Sequence, residues 1–232
     1  MKVVILAGGY GTRLAEYTDT IPKPMIPIGG EPIIVHIMRF YAKYGHDEFF
    51  IALGYKGEII KNFFNNFKTK WKIHLIDTGL NTMTGGRLKR LEKYLNKKTF
   101  MLTYGDGLSN ININDLVEFH KKQKKIITIS AVRPPARFGA LKLKGSEVLN
   151  FREKSQLEES WINGGFFVIE PNFLEMIGSD NSVLEKEPLE RAVKEKKIFS
   201  YKHGDFWQCM DHKLDKDLLD EMVKNNKAPW LN

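Results

Sequence analysis

A glycine-rich segment near the N-terminus, residues 6–14, contains residue types that could bind phosphate. Its sequence is LAGGYGTRL, and an apolar run of strand length leads directly into its glycines. Glycines let backbone N–H groups approach an anion closely, so such a loop can bind phosphate. The pattern GGxGTR differs from the dinucleotide fingerprint, and it is not a P-loop because no Gly-Lys-Ser/Thr follows. On the glycines alone, a tight connection between a strand and a helix remains an alternative.

Two basic side chains favour phosphate binding over a purely structural turn. Arg13 carries a planar guanidinium that can donate two parallel hydrogen bonds to one phosphate. Lys23 lies between Pro22 and Pro24, which restrict the backbone around it. Together these residues predict a site for a polyphosphate close to the end of the first strand.

Asp106 is the first candidate for a metal ligand. It lies in the sequence YGDG at the carboxyl end of a predicted parallel strand, where ligands of open α/β sheets bind. A carboxylate there could hold Mg²⁺, which proteins usually bind through one or two carboxylates plus substrate phosphates. The alternative is an Asp-Gly turn without a metal. Asp211, taken by itself, is typical of an N-terminal cap of the last helix.

The elements that position these residues alternate regularly in the N-terminal half. Apolar patterning predicts strands over 2–7, 48–53, 71–75 and 99–104, and helices over 32–44, 59–67 and 88–95. This β-α-β order favours a mostly parallel sheet with right-handed crossovers.

The patterning changes in the C-terminal half. It predicts a helix over 113–122, a strand over 126–132, a hairpin from 140–143 and 148–151, strands over 164–169 and 198–201, a short helix opened by Pro188, and a final helix over 214–223. We therefore predict one α/β domain spanning 1–232, with a Rossmann-like, mixed and mostly parallel sheet flanked by helices. Residues 1–132 would form the nucleotide-binding half, and residues 133–232 the substrate wall and the closing helix.

Composition excludes several classes of protein. The 232 residues include 42% hydrophobic residues, enough for a large core, and 36 basic against 28 acidic residues give a net charge of +8. The single Cys209 excludes an internal disulfide and indicates a reducing compartment. Apolar runs reach only five residues and the N-terminus is too short for a signal peptide, so we expect a cytoplasmic protein without a membrane partner. The lysines are typical of solvated helix ends, which argues against nucleic acid, although the positive charge could steer a polyanionic substrate.

The segment LAGGYGTRL followed by PKPMIPIGGEPI resembles the signature of sugar nucleotidyltransferases. Within that group, seven further strings along nearly the whole chain are similar to the glucose-1-phosphate cytidylyltransferases: TMTGGRLKR, YGDG, RFGAL, NGGFFV, EKEPL, FWQCMD and KAPW. The resemblance implies transfer of a cytidylyl group from CTP to α-D-glucose 1-phosphate, with Mg²⁺ as cofactor and CDP-glucose and pyrophosphate as products. One alternative is a nucleotidyltransferase of the same fold that uses UTP or dTTP in place of CTP, or another phosphorylated acceptor in place of glucose 1-phosphate. A non-catalytic sensor is the other, but it would be expected to lack the basic and acidic residues named above.

The resemblance also implies the roles of individual residues. Arg13 and Lys23 would stabilise the triphosphate during the reaction, and Asp106 and Asp211 would hold the metal. The nucleotide would be bound by Leu6, Ala7, Gly8, Gly9, Gly11, Thr12, Arg13, Lys23, Thr82, Arg87 and Gly105. The sugar phosphate would be bound by Gly139, Glu153, Lys154 and Asn163, with Lys154 on the phosphate. Without the family, Glu153 and Lys154 would be an exposed charged pair, Thr82 a helix cap and Arg87 a solvated helix residue.

Three features depart from the family pattern. Ser155 follows Glu153-Lys154 where the superfamily usually has proline. Cys209 and His212 flank Met210-Asp211 where the cytidylyl branch tends to have proline and threonine, and His212 could be a surface residue or a substrate contact. The stretch 66–71 is shorter than in the family members it resembles, so a homo-oligomer is left open.

Overall fold

The computed structural model describes residues 1–95, 97–134, 140–152 and 161–231. Its strands are β1 (Lys2–Ala7), β2 (Pro27–Ile28), β3 (Glu31–Pro32), β4 (Glu48–Leu53), β5 (Lys72–Asp77), β6 (Phe100–Tyr104), β7 (Gly107–Ser109), β8 (Ile127–Val132), β9 (Ala140–Lys144), β10 (Glu147–Arg152), β11 (Ile162–Ile169), β12 (Ile198–His203) and β13 (Trp207–Cys209). Its helices are α1 (Ala15–Thr18), α2 (Ile33–Lys43), α3 (Gly57–Asn66), α4 (Thr84–Arg90), α5 (Ile113–Gln123), α6 (Glu187–Lys194) and α7 (Lys213–Lys224).

A seven-stranded sheet in the order β12-β8-β11-β6-β1-β4-β5 forms the centre of the molecule. Strand β11 is antiparallel to both its neighbours, and the remaining pairs in this sheet are parallel. The prediction of a mixed, mostly parallel sheet flanked by helices is therefore confirmed. The predicted hairpin is also present, as the antiparallel pair β9 and β10.

Both faces of the sheet are covered, which explains the continuous apolar run in β1. Val3 and Ile5 pack into the cluster that contains α2 and α5, whereas Val4 and Leu6 pack into the cluster that contains α4 and α6. A strand buried on both faces has no need of polar alternation. No helix among the described residues is long and apolar enough to cross a membrane.

Helix α4 differs from its prediction, because it begins at Thr84 and ends at Arg90. Its first turn contains Gly85 and Gly86, which local propensity assigns to a loop. A Cβ on Gly86 would lie 2.4 Å from the carbonyl oxygen of Asp180, and one on Gly85 would lie 2.7 Å from that of Ser182. Close packing against a distant segment therefore requires both glycines inside the helix.

The carboxyl ends of the parallel strands meet at one edge of the sheet. Ala7 of β1 pairs with Leu53 of β4, and Leu6 pairs with Tyr104 of β6. Beyond β6, the short strand β7 pairs antiparallel with β13, which places Cys209 opposite Gly107. This ribbon, which the apolar pattern did not predict, brings the chain around residue 211 to the same edge.

Candidate active site

A cleft of about 870 Å³ opens at the carboxyl edge of the sheet. Its walls include the glycine-rich loop (residues 8–13), the second loop (residues 78–83) and the ends of β6 and β13. The predicted site residues that line it are Leu6, Ala7, Gly8, Gly9, Gly11, Thr12, Arg13, Lys23, Thr82, Arg87, Gly105, Asp106, Asn163 and Asp211. Gly139, Glu153 and Lys154 lie outside the described residues.

A cluster of four charged side chains occupies one end of the cleft. The Lys23 ammonium lies 2.7 Å from Oδ2 of Asp106 and 2.8 Å from Oδ1 of Asp211. Arg13 donates to the other oxygen of Asp211 at 2.7 Å. Because both aspartates contact the same nitrogen, Oδ2 of Asp106 and Oδ1 of Asp211 lie no farther apart than two hydrogen-bond lengths.

The pKa values in this cluster follow from burial and mutual charge. Desolvation lowers the pKa of Lys23, whose side chain is 13% exposed, but the two carboxylates outweigh it and the net shift is upward. For Asp211, desolvation acts to raise the pKa, and the contacts with Lys23 and Arg13 reverse this into a net lowering. Lys23 and Asp211 therefore stay ionised near neutral pH, and their opposite charges compensate each other.

Local sequence explains how Lys23 is held. Pro22 caps a 3₁₀ turn over Lys23–Met25, and the Met25 N–H donates to the Pro22 carbonyl at 2.8 Å. Gly11 in the opposite loop has φ 66°, and a Cβ there would lie 3.1 Å from the Cβ of Lys23. Glycine at this position is thus required both by the left-handed backbone and by the approach of the lysine.

Asp211 does not cap the last helix, so that alternative is wrong. Helix α7 begins at Lys213 with His212 at the N-cap. Asp215 accepts hydrogen bonds from the backbone N–H groups of Asp211 and His212, at 3.0 and 2.8 Å. These bonds satisfy the helix start and leave the Asp211 carboxylate directed at Lys23 and Arg13. His212 is exposed, as expected for a surface histidine at a helix start.

Arg87 is buried, at 4% exposure, which excludes the solvated helix residue considered above. Its guanidinium donates to the carbonyl oxygens of Gly8 at 2.9 Å and Leu80 at 3.1 Å, and it also bonds to those of Leu53 and Gly79. Desolvation lowers its pKa. In the described structure Arg87 thus braces the two loops from below, and its direct contact with a nucleotide stays a prediction.

Thr82 is not a helix cap either, since Met83 occupies that position of α4. Its side chain is 7% exposed and lines the cleft. Its contact with a nucleotide stays a prediction.

Sequence reasoning missed a polar network that lines the cleft at the end of β6. Asn163 donates to the Tyr104 hydroxyl at 3.1 Å, and that hydroxyl donates to Glu185 at 2.6 Å. Thr84 donates to the other oxygen of Glu185 at 2.8 Å. Desolvation and the neighbouring Glu185 raise the pKa of Tyr104, so it remains a donor. Glu185 lies within the string EKEPL, but no local pattern distinguishes it from surface glutamates.

The chain is similar over nearly its whole length to known nucleotidyltransferases. A model of the family described as nucleotidyl transferase matches residues 2–208. The chain belongs to the nucleotidyltransferase family. It is 41% identical over 253 positions to the glucose-1-phosphate cytidylyltransferase of Salmonella typhimurium, covering 99% of this chain and 98% of that protein. It is 39% identical to the probable glucose-1-phosphate cytidylyltransferase of Bacillus subtilis, covering 99% of each.

A solved structure supports the same fold for this nucleotidyltransferase. HddC from Yersinia pseudotuberculosis, complexed with GMP-PN, superposes with a TM-score of 0.76 at 25% identity, covering 96% of this chain and 99% of that one. The family to which this chain belongs includes members that use other nucleotides.

Members of the family generally use a divalent metal ion, and the two aspartates of this nucleotidyltransferase fit one. Asp106 and Asp211 already share one cation, the Lys23 ammonium, in the described structure. No group of three or more His, Cys, Asp or Glu side chains suited to a metal occurs among residues 1–95, 97–134, 140–152 and 161–231. The site therefore suits a hard cation whose remaining ligands are phosphate oxygens and water.

Cys209 is a cleft residue that departs from the family pattern. Its sulfur lies 3.7 Å from Oδ2 of Asp211. Burial, followed by the negative charge of Asp211 and Asp106, raises the pKa of this thiol to about 12. The nucleotidyltransferase thus carries a protonated thiol here, which is a poor nucleophile.

Proposed function

We propose that this nucleotidyltransferase transfers the cytidylyl group of CTP to α-D-glucose 1-phosphate, producing CDP-glucose and pyrophosphate. One observation carries the proposal: the cleft assembles Arg13, Lys23, Asp106 and Asp211 beside a glycine-rich loop in a chain whose relatives at 39–41% identity over nearly full length are named for this reaction.

The glycine-rich loop and its basic neighbours bind the triphosphate in this proposal. Backbone N–H groups of Gly8 to Thr12 contact the phosphates, while Arg13 and Lys23 neutralise their charge. Both cations are bound to carboxylates in the described structure, so phosphate oxygens compete with Asp106 and Asp211 for them. Mg²⁺, held by the two aspartates, would supply further neutralisation of the phosphates.

The acceptor binds beside Asn163, which is oriented by the Tyr104 hydroxyl. A phosphate oxygen of the sugar phosphate forms a bond to the α-phosphorus, and the bond from that phosphorus to the bridging oxygen breaks. Pyrophosphate leaves on the side opposite the attacking oxygen and takes the bonding electron pair with it. The acceptor itself is the nucleophile, so the protein contributes positioning and charge stabilisation. The protonated Cys209 agrees with this, because no thiolate is needed.

Discrimination of cytosine from uracil depends on hydrogen bonds, because the two bases have nearly the same shape. Cytosine presents an amino donor and a ring-nitrogen acceptor where uracil presents a carbonyl and an N–H. A site that pairs with the first pattern leaves its own groups unpaired against the second, which can cost about 10⁴-fold or more in specificity. The backbone of residues 6–9 together with the segment 82–87 is the proposed surface that recognises the base.

The test is a nucleotide panel with glucose 1-phosphate, read as pyrophosphate release with saturating Mg²⁺. We expect kcat/KM for CTP to exceed those for UTP, dTTP and GTP. Mannose 1-phosphate and galactose 1-phosphate, assayed with the best nucleotide, test the sugar. The Lys23→Met variant is the control, since it should be inactive with every nucleotide. Equal specificity constants across the panel would overturn the assignment of CTP, and a preferred UTP or dTTP would establish the alternative.

A further inference from the structure

A hydrogen bond crosses the rim of the cleft between the two loops that border its nucleotide side. The Tyr10 hydroxyl, on the glycine-rich loop, donates to Oδ1 of Asn81, on the second loop, at 3.0 Å. Both residues line the cleft, both are exposed, and Tyr10 is 45% accessible. The nucleotidyltransferase thus has a solvent-facing contact that joins the two loops at the rim of the cleft.

The same two loops are also joined at the floor of the cleft. Arg87 donates to the carbonyl of Gly8 in one loop and to the carbonyl of Leu80 in the other. This floor contact is buried, so breaking it would leave a desolvated guanidinium and several carbonyls without partners. The rim contact is exposed, so water replaces it readily when it opens. The rim can therefore open while the floor stays closed.

The ring of Tyr10 is held separately from its hydroxyl. It packs against Tyr55 with ring centroids 5.1 Å apart and an angle of 43° between the planes. Tyr55 in turn is fixed by a hydrogen bond from its hydroxyl to the Thr18 carbonyl at 3.0 Å. This packing keeps the Tyr10 hydroxyl near Asn81 after the bond opens, which favours its re-formation.

We propose that Tyr10 and Asn81 form a latch that retains a bound nucleoside triphosphate in the cleft. The latch opens to admit the nucleotide, and it closes by joining the glycine-rich loop to the second loop. Both are positioning residues, since they act through the two loops. The proposal rests on the proposed function only in that the nucleotide binds between these loops.

A double-mutant cycle on nucleotide release tests the latch. Tyr10→Phe removes the donor and keeps the ring on Tyr55, whereas Asn81→Ala removes the acceptor. CTP with Mg²⁺ is bound without sugar phosphate, so no reaction occurs, and its dissociation rate is measured by stopped flow. We expect each variant to raise this rate equally, by about 3- to 10-fold, and the double variant to raise it no further.

Tyr94→Phe is the matched control, because Tyr94 is an exposed tyrosine that does not line the cleft. Its dissociation rate should equal that of the unaltered protein. Unchanged rates in Tyr10→Phe and Asn81→Ala, or effects that add in the double variant, would overturn the latch. If the unaltered protein binds another nucleotide in place of CTP, the substrate assignment fails, and the same cycle with that nucleotide decides the latch.

Discussion

At the scale of single residues, the charged cluster is balanced before any substrate binds. Lys23 contacts both Asp106 and Asp211, and Arg13 contacts Asp211. Two cations and two carboxylates compensate each other, which offsets the cost of burying Lys23. A magnesium-bound triphosphate brings both signs of charge, so it can exchange for these contacts without leaving a charge unpaired.

Asp106→Asn tests the metal ligand at this scale. The substitution removes a negative charge with almost no change in volume, so the fold should persist. Loss of one electrostatic contact in a transition state costs about 10²–10³ in rate, and we expect kcat/KM to fall by at least that factor. The measurement is turnover across a Mg²⁺ titration, with the melting temperature as the folding control. Near-normal turnover by the folded variant would remove Asp106 from the metal site.

Tyr104→Phe tests the acceptor wall. The hydroxyl it deletes joins Asn163 to Glu185, so Asn163 loses its orienting partner. We expect the KM for glucose 1-phosphate to rise about 10-fold, because a misoriented Asn163 no longer forms its hydrogen bond to the charged sugar phosphate. The Kd for CTP should stay unchanged. Steady-state kinetics and equilibrium binding separate the two effects. A weakened CTP complex with a normal acceptor KM would place this network on the nucleotide side.

At the scale of elements, helix α2 links the C-terminal segment to the core. His36 in this helix accepts a hydrogen bond from the Trp230 indole at 3.2 Å, and its other ring nitrogen contacts the Ile28 carbonyl at 2.8 Å. Trp230 is 2% exposed and stacks on Phe206, just before β13. This arrangement requires a neutral imidazole, since a protonated Nδ1 could not accept from the indole.

The histidine makes stability depend on pH. Burial, reinforced by the nearby Arg39, lowers the pKa of His36 below its ordinary 6.5, although the bond to Ile28 and the carboxylates of Glu31 and Asp220 oppose this. At pH values between the pKa of His36 in the folded chain and its higher pKa in the unfolded chain, the unfolded chain binds more protons. The free energy of unfolding therefore rises with pH in this range. The contribution of His36 is thus complete above about pH 6.5 and is lost as the pH falls below it.

Urea unfolding from pH 7.5 to pH 5 measures this dependence. We expect the free energy of unfolding to fall more steeply in the unaltered protein than in His36→Gln, which cannot be protonated. His46, whose pKa is lowered to about 4, contributes equally to both proteins, so the difference isolates His36. Identical slopes for the two proteins would show that His36 does not titrate differently on folding.

A second prediction at this scale concerns Tyr41 of α2. It is fully buried and stacks on Phe166, and its hydroxyl makes no hydrogen bond of good geometry to the described residues, although the Thr103 side chain lies close enough to oppose the rise in its pKa that burial causes. Tyr41→Phe keeps the ring contacts and removes a desolvated polar atom, so we expect the free energy of unfolding to rise by about 1 kcal/mol. Urea denaturation with an unchanged m-value is the check. A loss of stability would indicate that this hydroxyl is hydrogen-bonded, to Thr103 or to a buried water.

At the scale of the whole molecule, the net charge of +8 bears on how substrates arrive. Both proposed substrates are anions, and a positive protein raises their local concentration. Salt screens this field with a Debye length of about 10 Å at 0.1 M. We expect the KM for CTP to rise several-fold between about 20 and 200 mM NaCl while kcat stays constant. A KM that is independent of salt would show that the surface charge plays no part in capture.

By itself, the sequence predicted the local elements and the residues at the glycine-rich end of the cleft. Val3 to Ala7 predicted a strand because apolar runs report burial, and the helical period of α2 predicted its buried face. Arg13 and Lys23 could be predicted as site residues because Arg13 ends the GGxGTR segment and Lys23 lies between two prolines shortly after it. These features depend on neighbours along the chain, which patterning and turn chemistry describe directly.

Only the tertiary structure decided which distant residues meet. Asp106 and Asp211 share one lysine because β7 pairs with β13, and strand pairing over such a separation depends on the whole fold. Glu185 lines the cleft and accepts hydrogen bonds from Tyr104 and Thr84, although its neighbours in the sequence are typical of a surface glutamate. Periodicity reports whether a side chain is buried, but its partner is set by how elements pack, and that information is spread over the entire chain.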